Sequence, residues 1–253
     1  MTTAVMSLPI HETPDVETSS EGYASRFSGE VGRYFLEVQN AAVLDLLAPW
    51  PGAQVLDVGG GHAQLAPALV ERGFRVTVAG SEEVCRQRLD RALPPGSFEF
   101  RACDLLHLPY PDRAFEVVFA LRLLAHVERW RELVAELCRV ASRAVILDYS
   151  DSRSFNKLYG PLFPWKKAVE GNTRTFHIFK PGAVAAEAAR HGFGGPAERR
   201  EFFLPMVVHR ALRSGRFSRM SERVSSALGL TRWLGSPVVL RIQRVEREER
   251  ETK

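Results

Sequence analysis

The chain has 253 residues, of which 45% are hydrophobic and 25% charged, and its formal net charge is +4. These values are typical of a globular protein, and so small a charge does not by itself indicate a nucleic-acid partner. Cys85, Cys103 and Cys138 form no CxxC pair, which argues against a disulfide framework or a zinc site. No apolar run approaches the roughly 20 residues of a membrane span, and the first residues lack a signal-peptide pattern, so we predict a cytoplasmic protein.

Composition divides the chain into one domain and two tails. Residues 1–21 are polar, acidic and poor in aromatic residues, which predicts a disordered tail. We predict one domain over residues 22–246, with helical insertions at about 150–178 and 206–235. Residues 247–253 form a charged tail.

Short apolar runs alternate with helical patterns through the first part of the domain. A helical pattern lies N-terminal to the first strand and ends at Leu47. Five buried strands are predicted at 54–58, 74–79, 98–102, 115–120 and 144–149, and two more at 198–204 and 238–245. The alternation favours a doubly wound, parallel α/β sheet, whose ligands bind at the carboxyl ends of the strands.

The segment AQVLDVGGGHA, residues 53–63, carries the main ligand signal. A buried strand containing Asp57 runs into Gly59, Gly60 and Gly61, and a helix is predicted to begin near His62 or Ala63. Glycines permit a tight turn and close approach of a ligand, while a helix start offers unpaired N–H groups. A dinucleotide fingerprint, GxGxxG, requires a glycine where this chain has Gln64, so a nicotinamide or flavin dinucleotide is disfavoured.

Three stretches together resemble one family. They are VLDVGGGHA, the Cys103-Asp104-Leu105 segment after the third strand, and FEVVFALRLLAHV at 115–127. This set is similar to class I S-adenosylmethionine-dependent methyltransferases over roughly residues 23–204. The resemblance implies a seven-stranded Rossmann-like fold with an antiparallel last strand. It also implies S-adenosyl-L-methionine as cofactor and direct in-line transfer of its methyl group to an acceptor.

The resemblance also implies which residues bind the cofactor. The turn would hold the methionine part of the cofactor. Asp57 would attract the ammonium group of the cofactor or accept hydrogen bonds from the backbone amides of the turn. Asp104 would bind the adenine amine beneath Leu105, while Arg26 would meet the carboxylate. The full set is Tyr23, Arg26, Asp57, Gly59, Gly60, Gly61, His62, Ser81, Asp104, Leu105, Leu121 and Arg122. Leu121 and Arg122 match the positions that line the sulfonium. No catalytic residue is assigned, because a histidine at the position of His126 is often structural in this family.

One position departs from the family pattern. The second strand usually ends in an acid that binds the ribose hydroxyls, and Ala79 stands there in this chain. Three interpretations remain open. Glu82 or Glu83 reaches back to the ribose, Ser81 and backbone groups bind the ribose instead, or the affinity for the cofactor is weak. A non-catalytic protein that binds S-adenosylmethionine or S-adenosylhomocysteine is therefore an alternative function.

The acceptor is less determined than the cofactor. Aromatic residues around the insertion at about 150–178 suit a flat, aromatic or lipid-like small molecule, and the overall pattern is similar to quinone-biosynthesis methyltransferases. Residues 205–253 contain ten Arg and one Lys against five Glu, which leaves open RNA or protein methylation and contact with a membrane surface. The scattered histidines form no metal-ligand set, and the oligomeric state is not predicted.

Overall fold

Runs of buried aliphatic residues form one central sheet in the computed structural model, which describes residues 12–154 and 176–245. The strands of these residues are Gln54–Val58 (β1), Arg75–Gly80 (β2), Phe98–Ala102 (β3), Phe115–Ala120 (β4), Ala141–Asp151 (β5), Ile178–Phe179 (β6), Phe193–Phe202 (β7) and Ser236–Arg244 (β8). The helices are Pro14–Thr18 (α1), Glu21–Ala24 (α2), Gly29–Leu47 (α3), Ala66–Glu71 (α4), Gln87–Ala92 (α5), Trp130–Val140 (α6), Ala183–Ala189 (α7), Met206–Leu212 (α8), Gly215–Ala227 (α9) and Leu230–Leu234 (α10).

The strand order is β3-β2-β1-β4-β5-β8-β7, and the short β6 pairs with the end of β5. The first five strands are parallel, whereas β8 runs antiparallel to both β5 and β7. Two apolar clusters cover the two faces of the sheet. The doubly wound, mostly parallel sheet and its antiparallel last strand are thereby confirmed. The order reverses between β1 and β4, which places the expected ligand crevice at their carboxyl ends.

The N-terminal residues are more ordered than their composition predicts. The sequence predicts disorder over 1–21, but residues 14–18 and 21–24 form α1 and α2. Asp15 and Thr18 are buried, and the Asp15 carboxylate accepts a hydrogen bond from the Ser81 backbone N–H at 2.8 Å. Composition misses this order because polar contacts with distant residues, rather than an apolar stripe, attach the segment.

The segment after the glycines also differs from the prediction. Residues Gly60–His62 form a 3₁₀ turn, Ala63 adopts a positive φ of 59°, and α4 begins only at Ala66. Pro67, in the first turn of α4, suits a helix start but not a helix interior. The glycine turn therefore presents its own backbone, rather than the first turn of a long helix, to the crevice.

The two predicted insertions differ in how much of them is described. The one at 206–235 contains α8, α9 and α10. Most of the one at about 150–178 lies outside the described residues. The strand predicted at 198–204 corresponds to β7, which begins at Phe193 and ends at Phe202. The charged tail at 247–253 also lies outside the described residues.

Gly32 in α3 tests how the N-terminal segment joins the domain. A Cβ at Gly32 would overlap the backbone carbonyl of Phe27, in the turn before α3. We expect Gly32→Ala to lower the free energy of unfolding by about 1–3 kcal/mol, because backbone must shift to admit the methyl group. Gly22→Ala is the matched control, since its nearest neighbour would be Ser20 Oγ at 3.8 Å. Urea unfolding measures both, and equal effects would contradict this packing.

Candidate functional site

The turn after β1 depends on the missing side chains of its glycines. Gly59 has a φ of 75°, and its N–H donates to the Ala79 carbonyl at 2.8 Å, which ties the ends of β1 and β2 together. A Cβ at Gly60 would overlap the Asp57 carboxylate, which lies directly against the turn. These two positions therefore require glycine for local reasons, whatever ligand the turn binds.

Asp57 is the acid closest to this turn and is almost fully buried, with 3% of its surface exposed. Burial raises the pKa of Asp57 to about 7, although the Arg122 guanidinium acts in the opposite direction. A carboxyl group with this pKa is partly protonated near neutral pH. A cationic ligand beside it would favour its ionised form.

Arg122 lies at the centre of a buried polar network. It has a positive φ of 55°, and its backbone N–H donates to Asp148 Oδ1 at 2.6 Å. The other Asp148 oxygen accepts from Gln39 Nε2 at 2.8 Å. Burial raises the pKa of Asp148 and also that of Glu201, which lies close to it. The Arg122 side chain is therefore the cation that faces several buried carboxyl groups.

Sequence reasoning missed Gln39, Asp148 and Glu201. A signal was present, because Asp148 interrupts the apolar run of β5 and Glu201 precedes Phe202 at the end of β7. Acidic residues within buried strands are uncommon unless they are paired. Such positions are a useful marker of a polar site inside a sheet.

An aromatic wall stands beside the turn. The rings of Tyr23 and Phe27 meet the His62 ring edge-on at centroid distances of 5.7 and 5.6 Å. Burial, with Arg122 and Arg88 nearby, lowers the pKa of His62 to about 3, so this imidazole is neutral at physiological pH. Burial also raises the pKa of Tyr23. Tyr23 and His62 thus come together at the turn, as neutral groups.

Two of the predicted site residues have contacts other than those that the resemblance implies. Arg26 is half-exposed and pairs with Glu17 at 3.4 Å. Leu121 packs against the apolar cluster of one sheet face. A Cβ at Gly59 would instead lie 3.1 Å from Leu123 Cδ1, so Leu123 is the leucine that faces the turn. Both leucines lie beyond the end of β4 at Ala120, and Arg122 between them has a positive φ of 55°, so the regular alternation of a strand does not extend to Leu123.

Asp104 and Leu105 follow β3, at the same edge of the sheet. The Asp104 carboxylate accepts from the Leu106 N–H at 2.9 Å and lies 3.0 Å from His107 Nδ1. Leu105 is buried in an apolar cluster. Asp104 thus has hydrogen-bond partners in its own loop, and Leu105 packs in the core. Their role in an adenine subsite stays a prediction.

The N-terminal segment, residues 12–20, lies across the carboxyl ends of β1 and β2. Asp15 is fully buried, and its Oδ2 accepts from the Ser81 N–H at 2.8 Å. A Cβ at Gly59 would lie 3.4 Å from Asp15 Cβ, and one at Gly61 would overlap Ser19 Oγ. The acid that Ala79 does not provide is thus present near the end of β2, but it comes from the N-terminal segment.

Several buried polar atoms of this region have no hydrogen-bond partner. They are Asp15 Oδ1, Ser19 Oγ, both ring nitrogens of His62, Ser81 Oγ and Arg122 Nη1. Unpaired buried polar groups cost free energy, so their concentration here fits a site for a polar, charged ligand. Within residues 12–154 and 176–245 there is no group of three or more metal-ligating side chains.

Comparison with known proteins shows similarity over the strands that carry these residues. A family model described as a methyltransferase domain matches residues 56–147. The magnesium protoporphyrin IX methyltransferase of Synechocystis, solved with bound SAH, superposes with a TM-score of 0.61 at 18% identity, covering 90% of this chain and 96% of that one. Residues 56–147 are thus similar to a methyltransferase domain, and the chain has the fold of S-adenosylmethionine-dependent methyltransferases. The matched residues span β1 to β5 and contain the glycine turn, Asp57 and Arg122.

Two relatives of this chain are named for methyl transfer to different kinds of atom. An O-methyltransferase of Penicillium expansum is 30% identical over 145 residues, covering 54% of this chain and 48% of that protein. A ubiquinone/menaquinone biosynthesis C-methyltransferase of Cereibacter sphaeroides is 29% identical over 133 residues, covering 49% and 51%. The chain thus spans about half the length of these relatives. The described helices include none that is long and apolar enough to cross a membrane.

The pKa of Asp57 makes the stability of the unliganded methyltransferase domain pH-dependent. Its folded-state pKa of about 7 exceeds the roughly 3.9 of an unfolded aspartate, so the folded state binds the proton more tightly. Its stabilising contribution is complete below the unfolded pKa and is lost as pH rises through about 7. Relative to Asp57→Asn, the wild-type chain should lose about 2–4 kcal/mol of unfolding free energy between pH 4 and pH 8. Urea unfolding across this range measures the difference, and parallel profiles would contradict the assignment.

Proposed function

We propose that this chain is a methyltransferase that binds S-adenosyl-L-methionine at the glycine turn and transfers its methyl group to a small-molecule acceptor. The observation that carries the proposal is the juxtaposition of the turn, the buried Asp57 and the Arg122 guanidinium inside the matched methyltransferase domain. One anion and one cation there complement a ligand that carries both an ammonium and a carboxylate group.

Each charged group of the site has a proposed role. Asp57 attracts the ammonium group of the cofactor, which favours its ionised form. Arg122 Nη1, buried without a partner, binds the carboxylate in place of the predicted Arg26. Backbone groups of Gly59–Gly61 allow close approach, while Tyr23 and the neutral His62 cover the same side.

The chemistry of the reaction would reside in the cofactor, whose sulfonium supplies an activated methyl group for in-line displacement. This chain contributes alignment and the exclusion of water. Leu123, which faces Gly59, provides an apolar surface for that purpose. No residue is assigned as a general base, because proton removal depends on which acceptor atom is methylated.

Cofactor binding also requires movement of the N-terminal segment. Asp15 and Ser19 lie against Gly59 and Gly61, on the surface that a ligand of this turn would contact. Both residues are buried, so the segment and the cofactor compete for the same space. We propose that residues 12–20 leave this position when S-adenosylmethionine binds, and that Ser81 and the turn amides then become available.

An aromatic or lipid-like acceptor fits the neighbouring surface. The ring of Phe179 lies 5.1 Å from that of Trp130 and 5.8 Å from that of Tyr149, and the His126 and Phe176 rings are 5.6 Å apart. Tyr149 and Phe179 are buried in an apolar cluster, whereas Phe176 is 45% exposed, so the pair of Phe176 and His126 is the part of this group that an acceptor would contact. An aromatic wall binds flat, apolar molecules, and relatives named as quinone methyltransferases are consistent with that class. A cytoplasmic location is part of the same proposal.

Calorimetric titration with S-adenosylhomocysteine tests the proposed cofactor. The wild-type chain should bind it with a measurable heat. Arg122→Gln should weaken binding by about tenfold or more, because a charge-assisted pair with the carboxylate is lost. Arg199→Gln is the matched control, since Arg199 forms an exposed ion pair with Asp45 on another part of the surface. Absence of binding by the wild-type chain at millimolar ligand would contradict the proposed function.

Asp15→Ala tests the competition between the N-terminal segment and the cofactor. Removing the carboxylate removes the hydrogen bond to Ser81 N–H, so the open state should become more populated and S-adenosylhomocysteine should bind several-fold tighter. Asp45→Asn, which changes an exposed acid, should leave the affinity unchanged. Weaker binding by Asp15→Ala would instead identify Asp15 as a ligand of the ribose.

A further inference from the structure

Helix α9 (Gly215–Ala227) buries a polar face. Ser218 Oγ and Glu222 Oε1 each lie 3.0 Å from a ring nitrogen of the buried His209. The Glu222 carboxylate also accepts from the backbone N–H groups of Phe203 and Leu204, at 2.8 and 2.9 Å. These hydrogen bonds satisfy the buried side of the helix and fix its rotation. The opposite side of α9 is therefore held outward.

The outward side of α9 carries large apolar residues. The apolar stripe consists of Phe217, Met220, Val224 and Leu228, which are 40%, 67%, 55% and 70% exposed. Their spacing of three and four residues places them in one row along the helix. Trp233 on α10 is 69% exposed, close in sequence to the end of the stripe. A folded domain normally buries a row of this kind, so its exposure calls for a partner.

Arginine residues accompany this stripe. Arg216, Arg219 and Arg223 recur at the same helical spacing and are exposed, and Arg219 also pairs with Glu37 at 2.8 Å. Residues 206–234 contain six Arg and one acid, Glu222, which is buried. The surface of this region is thus cationic beside an apolar row. A partner that matches this surface must offer apolar groups to the stripe and negative charge to the arginines beside it.

We propose that α9 and α10 dock this chain on the surface of an anionic lipid bilayer. A helix with apolar residues on one side, arginines alongside and a tryptophan nearby is suited to lie in the interface, with its apolar side among the acyl chains. The arginines meet anionic headgroups, and Trp233 sits at headgroup depth. This contact lies on a surface helix and requires no cofactor.

Co-sedimentation with vesicles tests this docking. The full chain should bind vesicles of equal parts phosphatidylglycerol and phosphatidylcholine, and should bind pure phosphatidylcholine much more weakly. The double variant Met220→Ser, Val224→Ser should partition to the anionic vesicles at least tenfold less. Val84→Ser changes an exposed valine elsewhere on the surface and should bind like the wild type. Circular dichroism confirms that each variant is folded.

Charge is tested separately with Arg216→Gln, Arg223→Gln. This variant should lose binding to the anionic vesicles by a comparable factor, and added salt should weaken wild-type binding in the same way. Two results would overturn the proposal. One is equal binding by the wild type and the stripe variant. The other is no vesicle binding, with the stripe variant converting a dimer to a monomer in sedimentation velocity, which would make the stripe a contact between copies.

Discussion

The Asp57 carboxylate lies so close to the Gly60 Cα that no side chain fits at that position. This contact links the end of β1 to the turn, and the hydrogen bond from Gly59 N–H to the Ala79 carbonyl links the turn to β2. The glycine turn, residues 59–61, is therefore held in place and forms the floor of the crevice at the switch in strand order. Arg122, Leu123 and the N-terminal segment are all positioned against that floor.

Burial of charge around this floor is costly unless a ligand or a segment of the chain compensates for it. Asp57, Asp148 and Glu201 all have raised pKa values because they are buried, and Arg122 is the nearby cation. The N-terminal segment satisfies the Ser81 N–H through Asp15, but it also adds a fourth buried acid to this region. It also leaves polar atoms unpaired, which is consistent with a closed state that gives way to a better-matched ligand.

Local pattern was sufficient to predict the parallel strands and the glycine turn, because each depends on contiguous residues, whereas the cofactor class followed from the resemblance of three separate stretches to one family. Apolar runs specified β1, β2, β4 and β5, the alternating sequence FEFRA specified β3, and Gln64 disfavoured a dinucleotide. In the structure, Gln64 Nε2 donates to Asn40 Oδ1 at 3.0 Å, a contact between the residues after the turn and α3.

Features that depend on distant contacts were not predictable from pattern. The order of the N-terminal segment rests on Asp15 and Ser81, which are 66 positions apart. The pairing of Gln39 with Asp148 spans 109 positions. The outward rotation of α9 depends on the contact between His209 and Glu222. The sequence pattern does not show this contact, and from the pattern alone the apolar row of α9 would be interpreted as an ordinary core face.

A crystal structure of the full chain grown with S-adenosylhomocysteine tests the central claim most directly. We expect ligand density against Gly59 and Gly61, with the ammonium group of the ligand near Asp57 and its carboxylate near Arg122. We also expect that Asp15 no longer contacts Ser81 N–H. Ligand density at another surface, or a ligand bound at the turn with residues 12–20 still in place, would contradict the central claim.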